Sequence, residues 1–186
     1  MSKGSHETEI KLAVPDVQSA RRMLRRAGFR VTRPRVFEAN TVFDTATLTL
    51  RKSARLLRVR TAGTVATLTF KGKPVGGRHK SREELELRIP DAKTMSAILE
   101  RADFRPVFRY EKYRTEFQQP RRSGAVVLDE TPIGVYLELE GTEHWIDRTA
   151  RRLGFFEHDY ITASYTRLYL EWCKKKRRKP GEMVFT

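Results

Sequence analysis

The 186-residue sequence has little cysteine, little histidine and no long apolar run. Its single cysteine, Cys173, cannot form an intramolecular disulfide, which favours a reducing, cytoplasmic setting. The four histidines (His6, His79, His144 and His158) show no spacing typical of a zinc site. No apolar run approaches the roughly 20 residues of a membrane span, and we see no charged-then-apolar leader, so we expect no membrane association.

Negative charge is also scarce: 38 Lys and Arg face 23 Asp and Glu, giving a formal net charge of +15. Six positive charges form one run, Lys174 to Lys179, which we interpret as the solvated end of the last helix. A nucleic-acid contact through this run is the less favoured interpretation. We therefore divide the chain into a folded domain, residues 1–173, and a basic C-terminal tail, residues 174–186. Without the run the charge is still +9, so we expect a polyanionic ligand.

Hydrophobic periodicity and turn signals predict a mixed α+β fold. Apolar residues at three- and four-residue spacing predict helices over 16–27, 91–102, 143–153 and 163–176. Short segments between turn signals such as Ala62-Gly63 and Ser123-Gly124 predict eight strands. These strands cover 6–14, 35–44, 55–61, 64–72, 82–89, 107–117, 124–130 and 134–141. Eight short strands with few helices between them indicate an antiparallel sheet or barrel.

Charged residues share one face in seven of the eight predicted strands, because residues two apart point the same way. In the first strand, Glu7, Glu9 and Lys11 lie opposite Ile10 and Leu12. The acidic members of this charged face are Glu7, Glu9, Glu84, Glu86, Asp129, Glu138 and Glu140. The basic members are Lys11, Arg58, Arg60, Lys71, Lys112 and Arg114.

Two arrangements can satisfy this pattern. Each charged face could look outward into water, as in many antiparallel sheets. Alternatively, the sheet closes with the charged faces inward and the apolar faces covered by helices. Thirteen charges cannot be buried dry, so such an interior must be hydrated and filled by something that satisfies both signs. A polyphosphate with bound Mg²⁺ or Mn²⁺ does so, since guanidinium groups match phosphate oxygens and carboxylates bind these metals.

Several blocks resemble the CYTH family, also called triphosphate tunnel metalloenzymes. Glu7-Thr8-Glu9-Ile10-Lys11 is similar to its Glu-x-Glu-x-Lys signature, and the resemblance runs from about residue 7 to about 172. The later blocks are Asn40-Thr41-Val42-Phe43-Asp44, Leu57-Arg58-Val59-Arg60, Thr69-Phe70-Lys71-Gly72, Glu84-Leu85-Glu86, Lys112-Tyr113-Arg114 and Glu138-Leu139-Glu140.

The resemblance implies an eight-stranded antiparallel tunnel barrel with helices packed outside, and it assigns roles by position. Glu7, Glu9 and Lys11 would be catalytic. The six basic residues Lys11, Arg58, Arg60, Lys71, Lys112 and Arg114 would grip the triphosphate. Glu7, Glu9, Glu84, Glu86, Glu138 and Glu140 would hold Mg²⁺ or Mn²⁺, with Asp129 a less secure match.

Three functions are compatible with such a tunnel. The leading expectation is metal-dependent hydrolysis of inorganic tripolyphosphate or a small organic triphosphate, such as thiamine triphosphate or a nucleoside triphosphate. The alternative is class IV adenylate cyclase chemistry, which converts ATP to cyclic AMP and pyrophosphate. A non-catalytic module that binds polyphosphate or RNA is less favoured, because an anion binder has no need for seven inward carboxylates.

Overall fold

The barrel is closed and entirely antiparallel. The computed structural model describes residues 5–75, 77–120 and 123–186, and its strand order is β1-β5-β4-β3-β2-β6-β7-β8, with β8 returning to β1. The strands are β1 (Ser5–Val14), β2 (Arg30–Thr45), β3 (Leu56–Ala62), β4 (Val65–Lys71), β5 (Lys80–Ile89), β6 (Phe104–Gln118), β7 (Ala125–Thr131) and β8 (Gly134–Glu140). This architecture confirms the predicted eight-stranded barrel.

Helices lie outside the barrel, as predicted. They are α1 (Val17–Arg26), α2 (Thr49–Lys52), α3 (Ala92–Arg101), α4 (Glu143–Arg152) and α5 (Tyr165–Lys175), with a short 3₁₀ turn at Glu157–Asp159. The one-turn α2 was not predicted, because its start depends on the distant carboxylate of Asp44, which accepts hydrogen bonds from the Leu50 and Arg51 amides. None of the helices in the described ranges has the length and apolar character that crossing a bilayer requires.

The apolar side of the strands packs under two helices. Ile10 and Leu12 of β1 are fully buried in one core cluster with Leu24 of α1 and Ile146 of α4. Burial of each such side chain contributes roughly 1.5–3 kcal/mol, so this cluster fixes the register of β1. That register leaves the opposite face of β1, which carries Glu9 and Lys11, inside the barrel.

The predicted tail has two differently placed parts. Residues 174–180, which begin in the last turn of α5 and continue beyond it, are exposed. Met183, by contrast, is buried and pairs with β6: its amide donates to the Arg109 carbonyl (3.0 Å), and its carbonyl accepts from the Glu111 amide (2.9 Å). The ring of Phe185 then lies 5.2 Å from that of Tyr113. The last residues therefore form part of the barrel's outer layer.

Gly124, just before β7, cannot carry a side chain. Its φ of +101° disfavours any other residue, and an added Cβ would lie 2.5 Å from Cδ2 of the buried Trp145. We expect Gly124→Ala to lower the free energy of unfolding by about 2–5 kcal/mol through backbone strain and overpacking. Gly154→Ala is the matched control, because Gly154 also has a positive φ (+85°) but open space around it. Urea denaturation should show the smaller loss for Gly154→Ala, and equal losses would contradict the Trp145 clash.

Candidate active site

A cavity of about 390 Å³ runs inside the barrel. Twelve of the thirteen predicted charged residues line it, although they come from six different strands. They are Glu7, Glu9, Lys11, Arg58, Arg60, Lys71, Glu84, Glu86, Lys112, Arg114, Glu138 and Glu140. The arrangement with the charged faces inward is therefore the observed one.

Two lysines in the cavity each bridge carboxylates that belong to different strands. The Lys11 ammonium lies 3.3 Å from Glu9 and 3.2 Å from Glu138. Lys71 contacts both Glu7 and Glu84, the latter at 2.9 Å. These contacts hold the charged side chains in place without a ligand, and they can be exchanged for phosphate oxygens and metal ions when one enters.

The carboxylates differ in how readily they ionise. Burial raises the pKa of Glu7 to about 7; Lys71 opposes this shift, whereas Glu9 and Glu84 add to it. For Glu138 burial also acts upward, but Lys11 and Arg114 outweigh it and hold the pKa well below the usual range. Repulsion between the Glu7 and Glu84 carboxylates is part of the reason that the pKa of Glu7 is raised. A second cation beside Lys71 would relieve this repulsion.

The metal-ligand prediction can be tested against this donor set. In the described ranges, no three His, Cys, Asp or Glu side chains converge into a preformed metal cage. The neighbouring carboxylates of Glu7 and Glu84 offer oxygens alone, which suits Mg²⁺ or Mn²⁺. Mg²⁺ typically takes one or two carboxylates and completes its shell with water and substrate phosphates. The residues present fit such a shared site.

Asp129 is placed differently from the other six predicted carboxylates. It is 0% exposed and does not line the cavity. Its two oxygens accept hydrogen bonds from Arg114 (2.8 and 2.7 Å), from Lys112 (2.8 Å) and from the Tyr165 hydroxyl (2.8 Å). Because all these donors belong to the protein, Asp129 is placed to orient two cavity cations from behind.

Tyr165 connects α5 to the interior of the barrel. Besides its bond to Asp129, its ring centroid lies 5.3 Å from the Lys11 ammonium and 5.0 Å from that of Lys112. Burial, reinforced by Asp129, raises the pKa of the Tyr165 hydroxyl well above the usual range, so it remains a donor. The sequence analysis places Tyr165 only within the predicted helix over 163–176 and assigns it no role in the site.

Glu38, on β2, is a further interior residue that the sequence analysis missed. It is 2% exposed and lies 3.7 Å from Arg60, 3.7 Å from Lys112 and 3.9 Å from Arg114. Burial alone would raise the pKa of Glu38, but these three cations outweigh it and lower the pKa to about 2. The signal that would have found Glu38 is its place in the predicted strand over 35–44, where it alternates with the apolar Phe37.

The sequence analysis also missed Lys80 and Arg82. Lys80 was missed because β5 begins two residues before the predicted strand. Arg82 is the first residue of that predicted strand and shares the face of Glu84 and Glu86. Both Lys80 and Arg82 line the cavity, and the Lys80 ammonium lies 2.9 Å from Glu9. Burial lowers the pKa of Lys80 to about 8; Lys11 and Arg82 add to this shift, against the opposing effect of Glu9. The same two-residue alternation, extended past the turn, would have found both residues.

A closed antiparallel barrel whose hydrated interior carries opposed carboxylates and cations defines the class of triphosphate tunnel enzymes. The CYTH domain model matches residues 5–186, so the chain belongs to the CYTH family. This family comprises triphosphatases and adenylate cyclase-like enzymes, and its tunnel enzymes use divalent metal ions.

Relatives and solved structures agree with this assignment. A protein from Methanocaldococcus jannaschii named "putative adenylate cyclase" is 28% identical over 134 residues, covering 72% of this chain and 75% of its own. A structure from Vibrio parahaemolyticus has a TM-score of 0.77 at 17% identity, covering 89% of this chain and 98% of its own. One from Hippeastrum, described as revealing a dominant triphosphatase activity, has a TM-score of 0.64 at 20% identity, covering 94% and 97%.

Proposed function

We propose that the protein is a metal-dependent hydrolase of inorganic tripolyphosphate or a small organic triphosphate. One observation carries this proposal: twelve predicted acidic and basic residues from six strands surround a single cavity. The cavity offers cations for a phosphate chain and carboxylates for its metal ions. A simple anion-binding site would need only the cations, so the carboxylates support catalysis.

The cations would bind and orient the phosphate chain. Arg58, Arg60 and Lys112 lie on neighbouring parts of the wall formed by β3, β2 and β6, where guanidinium and ammonium donors can contact successive phosphate groups. Arg58 is held in place by the Tyr110 hydroxyl at 3.0 Å. Such fixed positive groups stabilise the charge that develops in phosphoryl transfer.

The carboxylates Glu7 and Glu84, with Glu9 nearby, would hold Mg²⁺ or Mn²⁺. When bound, such an ion neutralises phosphate charge and lowers the pKa of a coordinated water. The protein's own part is to keep these carboxylates in position, which Lys71 and Lys11 do through their contacts.

Adenylate cyclase chemistry is the second candidate, supported by the name of the Methanocaldococcus relative. In that reaction the ribose 3′-hydroxyl would attack the α-phosphorus and pyrophosphate would leave. The same charged lining would serve both reactions. The name of the Hippeastrum structure, which stresses triphosphatase activity, supports hydrolysis as the first choice.

A product assay separates these functions. The protein would be incubated with tripolyphosphate, thiamine triphosphate, ATP and GTP, each with Mg²⁺, with Mn²⁺ or with a chelator. We expect orthophosphate release that requires the metal. Cyclic AMP and pyrophosphate from ATP would instead establish the cyclase, and tight triphosphate binding without turnover under any condition would leave only a binding module.

A further inference from the structure

The interior of the barrel contributes nothing to the excess positive charge. Its carboxylates are the seven predicted ones and Glu38, and its cations are the six predicted ones with Lys80 and Arg82. Eight acids therefore face eight bases, and the Arg33–Glu116 ion pair at the mouth is also neutral. The net charge of +15 is therefore carried by residues other than this interior set.

Much of this charge lies on α1. Arg21, Arg22, Arg25 and Arg26 are all exposed, whereas Leu24 of the same helix is buried against the barrel. Residues four apart lie one above the other on a helix, so the four arginines form two adjacent pairs on the solvent side.

Helix α4 adds a second group beside the first. Arg148, Arg151 and Arg152 are exposed, and so is Arg30 at the start of β2. Both helices pack in the same core cluster, and the Arg152 guanidinium lies beside Gly28, just beyond the end of α1. We call these eight residues on α1, β2 and α4 the arginine face.

The arginine face is not neutralised by acidic neighbours. In the described part of the chain, none of these eight arginines has a carboxylate within 4.0 Å, whereas several arginines elsewhere, such as Arg33, Arg35 and Arg78, do. The acids on this side are engaged: Asp147 with His79 and Arg78, and Glu157 with Arg78. The helix dipole favours basic residues in the last turn, but Arg21, Arg22 and Arg148 lie earlier.

An exposed aromatic pair follows α4. Phe156 is 58% exposed, and its ring stacks on that of His158 with centroids 5.9 Å apart and an interplanar angle of 17°. Exposed rings combined with basic side chains are typical of single-strand binding sites, where bases stack on the rings, and Phe156 comes four residues after Arg152. Among the described residues of α1 and α4, no large apolar side chain is exposed, which argues against insertion into a lipid surface.

We propose that the arginine face binds single-stranded nucleic acid through its backbone phosphates, with a base stacking on Phe156. Arginine suits this partner because its guanidinium contacts phosphate oxygens bidentately and also stacks on bases. The surface lies outside the barrel, so binding should not require a triphosphate and should be independent of the proposed hydrolysis.

The test uses a fluorescent 20-nucleotide RNA with a 5′-hydroxyl, titrated at several salt concentrations with the full-length protein saturated with tripolyphosphate. One variant replaces the four α1 arginines by glutamine, which preserves helix propensity. Its matched control replaces Lys174, Lys175, Lys176 and Arg177 by glutamine, removing the same charge from the tail. Circular dichroism and thermal unfolding confirm that both variants are folded.

We expect the α1 variant to bind at least about tenfold more weakly and to lower the salt slope by up to about 2.8, at about 0.7 per lost phosphate contact. The tail variant should bind within about threefold of the parent. Phe156→Ala should weaken binding by about fivefold or more, the loss of one stacked base. A DNA strand of the same sequence shows whether the arginine face selects RNA or binds any single strand.

Three outcomes would overturn the proposal. Equal losses in the α1 and tail variants would mean that net charge alone attracts the strand. Binding that appears only when tripolyphosphate is left out would place the strand in the tunnel. Binding to vesicles of anionic phospholipid, without binding to either oligonucleotide, would identify the partner as a lipid surface.

Discussion

Glu9→Gln should abolish turnover, lowering kcat by a factor on the order of 10³, while the barrel stays folded. The substitution keeps the shape of the side chain and removes one negative charge from the cavity. A neutral amide binds a divalent ion far less well than a carboxylate does. The amide also no longer attracts Lys11 and Lys80, whose ammonium groups lie 3.3 and 2.9 Å from Glu9 in the parent protein.

The fold should survive because neither lysine is left as a stranded buried charge. Lys11 keeps Glu138 at 3.2 Å. Lys80 has a pKa already lowered to about 8, and without Glu9 it can release its proton at little cost.

Steady-state phosphate release from tripolyphosphate, with thermal unfolding of the same sample, checks this prediction. Glu83→Gln is the matched control, because Glu83 lies on the exposed outer face of β5. Its activity should stay within about twofold of the parent. Substantial activity in Glu9→Gln would rule out the proposed catalytic role of the first strand.

Asp129→Asn should give the largest loss of stability of any conservative substitution in the site, about 3–5 kcal/mol. The reason is that the carboxylate lies between Lys112 and Arg114, which are themselves buried or nearly so. Its removal leaves Lys112 without its nearest counter-charge and leaves Arg114 with Glu138 as its one remaining close carboxylate among the described residues. We also expect KM for tripolyphosphate to rise, since both cations would lose their orientation toward the cavity.

Glu130→Gln provides the comparison, because the neighbouring Glu130 points outward and pairs with Arg35, whose side chain is 43% exposed. Such a surface pair contributes at most about 1 kcal/mol. Chemical denaturation of the two variants should therefore differ by several kcal/mol. A similar, small loss in both would show that Asp129 is not the anchor described above.

The sequence was sufficient for the barrel and for most of the cavity. Two-residue alternation decides which face of a strand a side chain occupies, and in a closed sheet that face is the interior. Alternation therefore assigned Glu7, Arg58 and Lys112 to charged faces, and the family resemblance, which implies a closed tunnel, brought them together without coordinates. Apolar residues such as Ile10 and Leu12 supported the same orientation, because they require cover that helices provide.

Alternation could not predict how deeply a side chain is buried or at which residue a strand begins. Alternation places Asp129 inside but does not show that the Tyr165 hydroxyl, from 36 residues further along, covers it. Lys80 was lost because the start of β5 is set by pairing with β1, where Lys80 lies opposite Glu9. Long-range contacts of this kind are not encoded in local periodicity.

Closure of the barrel by β1 and β8 has a consequence for how the protein is made. Glu9 pairs with Lys80 on one side and with Glu140 on the other. At a ribosomal rate of about 5–20 residues per second, β1 waits roughly 7–26 seconds after its own synthesis for its last partner. The residues proposed to perform the chemistry therefore take their final positions late, and β1 is the segment most in need of protection by chaperones during translation.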